Sequence, residues 1–349
     1  MNSVQIHKIH FINRIDDINI GDWLCSPMNW FFYYFNNYNI IRHDMGWIQW
    51  NQIAKTDVVI IGGGGMLYNS NAGNENINRM LGLCDTVIGW SVGFNSLFPP
   101  HQWNGVVDNE ISLEKFRLIG IRDFNHKSGL EWLPCPSCFA FEWQKKRETV
   151  RKFGIIEHRS IPIEGLPYDK ITNACSAEQI SDFIASTGVI ITNSYHMVYF
   201  SQLMGKKVIC VNPFSTKFNW FKYKPVFYNG GLNEDLMDGL VKQASCCEGA
   251  LEESRKLNLC FFERVKMIIE ERIPEKNNDY GKVWLLNQQC LWREYDFMDG
   301  SSRDIAWFKT ELERIDAQTR ISNILFRLLC APLTLFRILF KRYLSPAEK

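Results

Sequence analysis

Short β-branched runs alternate along the chain with segments whose apolar residues recur at helical spacing. The clearest case is GVIITNSYHMVYFSQLMGKKVICV at 188–211. Val189–Ile191 predicts a strand, Thr192–Met204 a helix that stops at Gly205, and Val208–Val211 a second strand. A right-handed crossover makes two such strands parallel and places the intervening turn at the carboxyl end of the first strand. Open α/β sheets bind their ligands at this edge.

The same alternation extends through the rest of the chain. Further strands are predicted at Ile6–Ile12, Asp57–Ile61, Thr86–Trp90, Phe116–Ile121 and Arg151–Ile156. Further helices are predicted at Trp23–Phe35, between Asp123 and Leu130, at Ala177–Ser186 and at Gly249–Glu271. Ser176 and Gln179 form a capping-box pattern before the third of these helices. Repeated strand, turn and helix predict an α/β fold in which two halves face one another across a cleft.

The length of 349 residues exceeds one ordinary core and favours two domains. The pattern breaks at Pro134–Cys138, and a charged run at Lys145–Arg147 follows. We therefore predict four regions: an N-terminal Rossmann-like domain at 1–145, a second at 146–280, a connecting helical segment at 281–319 and a basic amphipathic tail at 320–349.

The tail differs from the preceding sequence. In RISNILFRLLCAPLTLFRILFKRYL, at 320–344, basic residues recur on one helical face and large apolar residues fill the others. The longest uncharged run, Leu328–Phe336, is too short to span a bilayer. The pattern predicts a helix in the membrane interface, and the alternative is a helix docked on protein. Pro332 would kink either one.

Composition removes several classes of function. A net charge of +1 gives no overall attraction to nucleic acid. The N-terminus has no uninterrupted apolar stretch, so no signal peptide is predicted. Eleven cysteines without such a signal fit a reducing cytoplasm better than a disulfide framework. Cys135 and Cys138 form an isolated C-x-x-C without a second pair, so no metal site is predicted.

Candidate chemistry lies in the predicted turns. Asn193 and Ser194 precede a helix whose free N–H groups favour an anion, and His196 in its first turn titrates near neutral pH. Asp22 follows the first strand, and Arg122 ends another.

The run Gly62–Gly65 follows a buried strand and is predicted to be a close-approach loop. Gly63, Gly64 and Gly65 would expose backbone N–H groups to a ligand there. The run lacks the Gly-Lys-Ser/Thr of a P-loop and the context of a dinucleotide fingerprint.

Five stretches, in this order, are similar to those of the polysaccharide pyruvyl transferase family: 19–22, 57–67, 120–123, 134–138 and the turn around His196. They span about residues 5–215. The resemblance implies two Rossmann-like domains of the glycosyltransferase-B type. It also implies transfer of the carboxyvinyl unit of phosphoenolpyruvate to a sugar, usually closed into a pyruvate ketal, with phosphoenolpyruvate as co-substrate and no other cofactor.

Ketal formation requires protonation of the enol carbon C3, attack of a sugar hydroxyl on C2, and release of phosphate. His196 is the candidate acid and Arg122 the candidate anion clamp. The glycine run, or the N-terminus of the His196 helix, would add anion contacts. Asp22 is the candidate base or sugar-binding carboxylate. The scheme requires no metal.

The chain departs from the family at two positions. Ser194 stands where the family often has Arg, and Met197 where it often has a small residue. Lys217, Lys206 or Lys207 are candidates to replace that cation; otherwise the donor differs.

Two alternatives remain: a nucleotide-sugar glycosyltransferase on the same fold, and a non-catalytic membrane-associated assembly subunit. We expect a cytoplasmic protein, peripheral on the inner face of the cell membrane through 320–344. Its acceptor would then be a saccharide of a surface polysaccharide or its lipid-linked precursor.

Overall fold

The computed structural model describes residues 7–16, 18–35, 38–98 and 110–273. Two compact units divide the chain. The first comprises residues 1–32 and 43–274, and the second comprises residues 33–42 and 275–349. Within the second unit only 33–35 and 38–42 are described. The predicted segments at 281–319 and 320–349 lie outside the described residues.

A six-stranded sheet occupies the first part of the chain. Its strands are β1 (Lys8–Asn13), β2 (Asn39–Asp44), β3 (Val58–Leu67), β4 (Thr86–Phe94), β5 (Leu118–Ile121) and β6 (Glu131–Trp132). Their order is β2-β1-β3-β4-β5-β6. The pairs β1–β3, β3–β4, β4–β5 and β5–β6 are all parallel. Runs such as Val58–Ile61 are buried throughout, as expected for a parallel sheet covered on both faces.

A five-stranded sheet follows. Its strands are β7 (Arg151–Glu157), β8 (Lys170–Thr172), β9 (Thr187–Thr192), β10 (Lys207–Val211) and β11 (Val226–Tyr228). Their order is β11-β10-β9-β7-β8, and each neighbouring pair is parallel. The α/β class with two mostly parallel sheets is therefore as predicted. The glycosyltransferase-B arrangement and the domain boundary at residue 145 stay predictions.

The helices lie between the strands and at the end of the described chain. They are α1 (Ile20–Leu24), α2 (Phe32–Phe35), α3 (Asn71–Leu83), α4 (Ala177–Ala185), α5 (Tyr195–Leu203), α6 (Glu234–Gln243) and α7 (Ala250–Arg272). No helix in the described ranges is both long and apolar enough to cross a membrane.

The strand, helix and strand predicted around His196 are confirmed as β9, α5 and β10. Gly205 ends the helix in a left-handed conformation with φ of 68°, which a residue without a Cβ adopts readily. The capping box before α4 is also confirmed, because Ser176 and Gln179 satisfy each other's backbone N–H groups.

Three local predictions are wrong. The expected helix at Trp23–Phe35 is broken, because Pro27 starts a 3₁₀ turn and Asn29 and Trp30 bond the free carbonyls of α1. The segment between Asp123 and Leu130 forms turns instead of a helix. The glycine run forms no loop: it continues as β3, because Gly62 and Gly64 pair with β4.

α7 joins the second part of the chain to the first sheet. Its buried Asn258 accepts a hydrogen bond from Trp90 Nε1 at 2.9 Å and donates one to the Pro134 carbonyl at 2.9 Å. Arg255 donates to the carbonyl of Cys138. The helix predicted at Gly249–Glu271 is therefore present, and it packs against residues of the first half of the chain.

Candidate functional site

The carboxyl edges of the two sheets meet. The loop after β4 and the loop after β10 form an antiparallel bridge between Leu97 and Ser215. The Phe124 N–H after β5 donates to the Trp220 carbonyl at 2.8 Å. The turns that carry the predicted site residues therefore face one another, as expected for loops at the carboxyl ends of parallel strands.

An ion pair fixes the turn after β1 against the second sheet. Arg159 donates two hydrogen bonds to the carboxylate of Asp16, at 3.0 and 2.9 Å. This two-pronged geometry suits a guanidinium and a carboxylate. Four residues further along the chain, the Ile20 N–H donates to the Asn173 carbonyl at 3.3 Å. The start of α1 is thus held by residues that follow strands β7 and β8 of the second sheet.

Asp22 lies in the first turn of α1. Asn19 caps this helix through its Oδ1, which accepts from the Gly21 N–H, while its Nδ2 donates to Asp22 Oδ2 at 2.9 Å. The Asp22 side chain is 25% exposed. One carboxylate oxygen is therefore fixed by the cap, and the other points toward His196 at 4.0 Å from its Nδ1.

His196 packs directly against α1. A Cβ added to Gly21 would lie 2.1 Å from His196 Nδ1, so only glycine leaves room for the imidazole. His196 is 6% exposed, and its buried Nε2 has no hydrogen-bond partner among the described residues. A buried ring nitrogen without a partner is costly unless a ligand bonds to it.

Arg122 enters the cluster from the end of β5. Its guanidinium carbon lies 4.1 Å from the centre of the Tyr195 ring, a cation–π contact. A Cβ at Gly93 would lie 2.3 Å from Arg122 Nε, so this glycine makes room for the side chain. Arg122 is 4% exposed, and its Nε and Nη1 have no hydrogen-bond partner within the described part of the chain.

A second carboxylate lies beside this guanidinium. Asp123 is 1% exposed and accepts from the Phe94 N–H at 2.8 Å through Oδ2, while its Oδ1 has no partner in the described ranges. Burial raises the pKa of Asp123 to about 6, against the opposing charge of Arg122. Asp123 compensates part of the charge of Arg122, but it makes no hydrogen bond to Nε or Nη1 of that guanidinium.

The surroundings of Asp22 and His196 shift the pKa values of both side chains. Burial raises the pKa of Asp22 to about 6, although Lys217 and Arg122 act to lower it. Burial and the same two cations hold the pKa of His196 well below its usual range. His196 is therefore a neutral imidazole in the unliganded protein, and Asp22, which has the higher pKa, is the stronger base of the two.

Lys217 belongs to the same cluster. Burial and Arg122 lower its pKa to about 8, with Asp22 acting in the opposite direction. The two other candidate lysines are used elsewhere: Lys206 donates to the carbonyls of Ala185 and Thr187, and Lys207 to that of Val241. Of the three lysines, the structure places only Lys217 near Arg122 and Asp22.

Asn193 and Ser194, two further predicted site residues, lie in the turn before α5. The Asn193 side chain is used by the protein, accepting from the His158 N–H at 2.7 Å and donating to the Ile161 carbonyl at 2.8 Å. The Ser194 N–H donates to Thr192 Oγ1 at 3.0 Å. These three bonds fix the turn before α5. These bonds already engage the Asn193 carboxamide and the Ser194 N–H, and an anion contact by these two residues stays a prediction.

The glycines of the run Gly62–Gly65 differ in their contacts with the site. The Gly63 N–H donates to the Cys25 carbonyl at 3.0 Å, so it cannot also bind an anion. Gly64 adopts φ of 95°. Gly65 adjoins Arg122, because a Cβ there would lie 2.9 Å from Nη2. Gly65 therefore makes room for the Arg122 guanidinium, whereas the Gly63 N–H is not free to bind a ligand.

Cys135 and Cys138 are both buried, and burial raises the pKa of each thiol. Both are therefore weak nucleophiles. Within the described residues, no group of three or more His, Cys, Asp or Glu is arranged to hold a metal ion.

Sequence reasoning missed the contacts that assemble the site. Gly21, Gly93 and Tyr195 each touch a candidate residue from a different element. Nothing in their local sequence indicates these neighbours. The resemblance did include Gly21 within its first matching stretch.

No protein-family model matches the sequence, and no curated protein is significantly similar to it. One similar solved structure is that of an uncharacterized protein from Klebsiella pneumoniae. It shows 15% identity and a TM-score of 0.41, over 59% of this chain and 83% of that one. Similarity at this level carries no argument about the site.

Proposed function

We propose that the chain transfers a pyruvyl group from phosphoenolpyruvate to a saccharide, closing it into a ketal. The observation that carries this proposal is the buried guanidinium of Arg122, whose Nε and Nη1 have no partner among the described residues. An oxyanion bonded to these groups would satisfy them. The adjacent Asp22 and His196 supply two groups for moving protons.

The site residues account for the proton transfers and for the release of phosphate. Asp22 accepts the proton of the sugar hydroxyl that bonds to C2, and His196, whose pKa a bound phosphate dianion raises, gives a proton to C3 of the enol. The proton on Asp22 returns to His196 through solvent when the products leave. Phosphate then leaves C2 with its bonding electron pair, and a second hydroxyl of the sugar adds there and loses its proton to the phosphate. The products are the pyruvate ketal and inorganic phosphate. Arg122 stabilises the negative charge of the phosphate as it departs.

The acceptor is proposed to be a saccharide of a surface polysaccharide or its lipid-linked precursor. This part of the proposal rests on the basic amphipathic sequence at 320–344, which would hold a cytoplasmic protein on the inner face of the membrane. A lipid-linked sugar is presented at that surface.

The first test is a ligand screen by thermal shift with the full chain, comparing phosphoenolpyruvate with a panel of nucleotide sugars. A ligand at 100 times its dissociation constant adds about 2.7 kcal/mol to the free energy of unfolding. Phosphoenolpyruvate should stabilise the wild type. Stabilisation by nucleotide sugars alone would reject pyruvyl transfer in favour of glycosyl transfer.

The second test measures phosphate release and the new ketal methyl signal by NMR, with sugar acceptors present. Arg122→Lys should lower turnover roughly 100-fold, because it keeps the charge and loses the planar fork. Arg79→Lys is the matched control, since Arg79 also lies 4.1 Å above an aromatic ring, that of Trp50, outside the cluster. Equal activity in the two variants would contradict the role of Arg122.

A further inference from the structure

We propose that Lys217 is the second cation of the donor site, so that its ammonium and the Arg122 guanidinium together hold the phosphate, one from each sheet. The inference rests on the proposed function for the identity of the donor. It names a specificity-determining residue that comes from the 3₁₀ segment Thr216–Trp220 after β10.

The position of Lys217 argues against a structural ion pair. Its ammonium lies above two rings, 4.8 Å from the centre of Phe214 and 5.5 Å from that of Phe218. Among the described residues no carboxylate lies within ion-pair distance of it. The rings hold the side chain in place by cation–π attraction and do not neutralise its charge.

The neighbouring groups define what Lys217 can bind. Arg122 lies near enough to lower its pKa, and the charge of Lys217 lowers the pKa values of His196 and His158. Only Asp22, and the buried thiol of Cys210, act in the opposite direction.

The buried Arg122 and the partly buried Lys217, beside neutral imidazoles, repel one another until an anion binds. A ligand with two negative charges relieves this repulsion better than one with a single charge. A phosphate dianion therefore fits the pair better than an isolated carboxylate.

The segment that carries Lys217 is tied to the first sheet. Ser96 N–H donates to Thr216 Oγ1 at 3.0 Å, and Thr216 N–H donates to the Ser96 carbonyl at 2.8 Å. These two bonds lie next to Lys217 in the sequence. They fix the backbone of Lys217 relative to the loop after β4. The other end of the segment is tied to the turn that carries Arg122, because the Phe124 N–H donates to the Trp220 carbonyl at 2.8 Å. The two cations are therefore positioned before any ligand binds.

The experiment measures binding of inorganic phosphate and of phosphoenolpyruvate to the full chain by calorimetry. Lys217→Met should weaken both by roughly 10- to 100-fold, the usual loss for one charge-assisted hydrogen bond. Lys217→Arg should retain most of the affinity. Lys224→Met is the matched control, because Lys224 is exposed seven residues further along the chain. It should bind like the wild type.

A second measurement excludes a merely structural effect. At pH 8.5 an anion that contacts Lys217 raises its pKa, so binding should take up a proton from the buffer. Comparing binding enthalpies in buffers of different ionisation enthalpy measures this uptake. The uptake should vanish in Lys217→Met and in Lys217→Arg, although the latter still binds. Unchanged uptake in both would overturn the proposal.

The outcomes separate this inference from the proposed function. Phosphate binding that Lys217→Met weakens, without any pyruvyl transfer, would keep Lys217 as an anion ligand and reject the reaction. Pyruvyl transfer with equal donor affinity in Lys217→Met and Lys224→Met would keep the reaction and reject Lys217. No phosphate binding by the wild type at millimolar concentration would reject the anion site itself.

Discussion

At the scale of single residues, Gly21 decides whether His196 can occupy its position. An added Cβ would lie within 2.6 Å of three atoms of the His196 side chain, well inside contact distance. Gly21→Ala should therefore displace the imidazole and destabilise the fold by about 1–3 kcal/mol. Turnover should fall about 100-fold, because an ångström of misplacement disrupts the reacting geometry.

The control for this prediction is Gly82→Ala. Gly82 lies in α3, and no atom would lie within 4 Å of an added Cβ there. Alanine in a helix interior is favoured over glycine by about 0.5–1 kcal/mol, so this variant should be slightly more stable and fully active. Chemical denaturation and turnover of both variants check the prediction. A Gly21→Ala protein that behaves like Gly82→Ala would show that the His196 ring has no fixed position.

At the scale of elements, a buried chain of hydrogen bonds links strands of the first sheet. Gln49 N–H donates to His43 Nδ1, His43 Nε2 lies 2.9 Å from His10 Nδ1, and His10 Nε2 lies 3.0 Å from Asp57 Oδ2. Each contact is satisfied when both imidazoles are neutral and carry their protons on Nε2. An added proton would place two donors against each other.

This chain predicts a loss of stability in acid. Burial lowers the pKa of His43 to about 3, with the charges of His10 and Lys8 acting in the same direction, while an unfolded histidine titrates near 6.5. The unfolded state therefore binds the proton first, and stability falls as pH drops below about 6.5. The expected loss between pH 6.5 and 5 is about 2 kcal/mol from this residue.

Urea denaturation at several pH values measures this loss. His43→Gln has no titrating group at the position, so its stability should fall by about 2 kcal/mol less over the same interval. Taking the difference between the two proteins removes the contributions of buried histidines outside this hydrogen-bonded chain. Parallel pH profiles for wild type and variant would show that His43 is protonated without cost.

The sequence predicted elements whose signals are local. The β9–α5–β10 unit was predictable because β-branched runs, helical spacing and a terminal glycine lie within about 25 residues. The glycine run was mispredicted because its fate depends on β4, which supplies the pairing that extends β3. Likewise, the selection of Lys217 over Lys206 and Lys207 depends on carbonyls distant in sequence.

At the scale of the whole molecule, contacts between the two sheets are spread over several places. Asn258 of α7 bonds to Trp90 and Pro134, Arg159 pairs with Asp16, and the loops after β4 and β10 form a bridge. Apart from residues 39–42 of β2, both sheets belong to one compact unit by their contacts. The predicted boundary at residue 145 would instead allow each half to unfold by itself.

These contacts predict that the two sheets unfold in one cooperative transition. Calorimetry should give a van't Hoff enthalpy equal to the calorimetric enthalpy for this transition. Asn258→Leu should lower the stability of the transition by about 3 kcal/mol, because it leaves the Trp90 N–H and the Pro134 carbonyl buried without partners. It should also move the fluorescence and circular dichroism midpoints together. A variant in which only the fluorescence midpoint or only the circular dichroism midpoint shifts would establish two independent domains. The site between the edges of the two sheets would then open and close as these domains move.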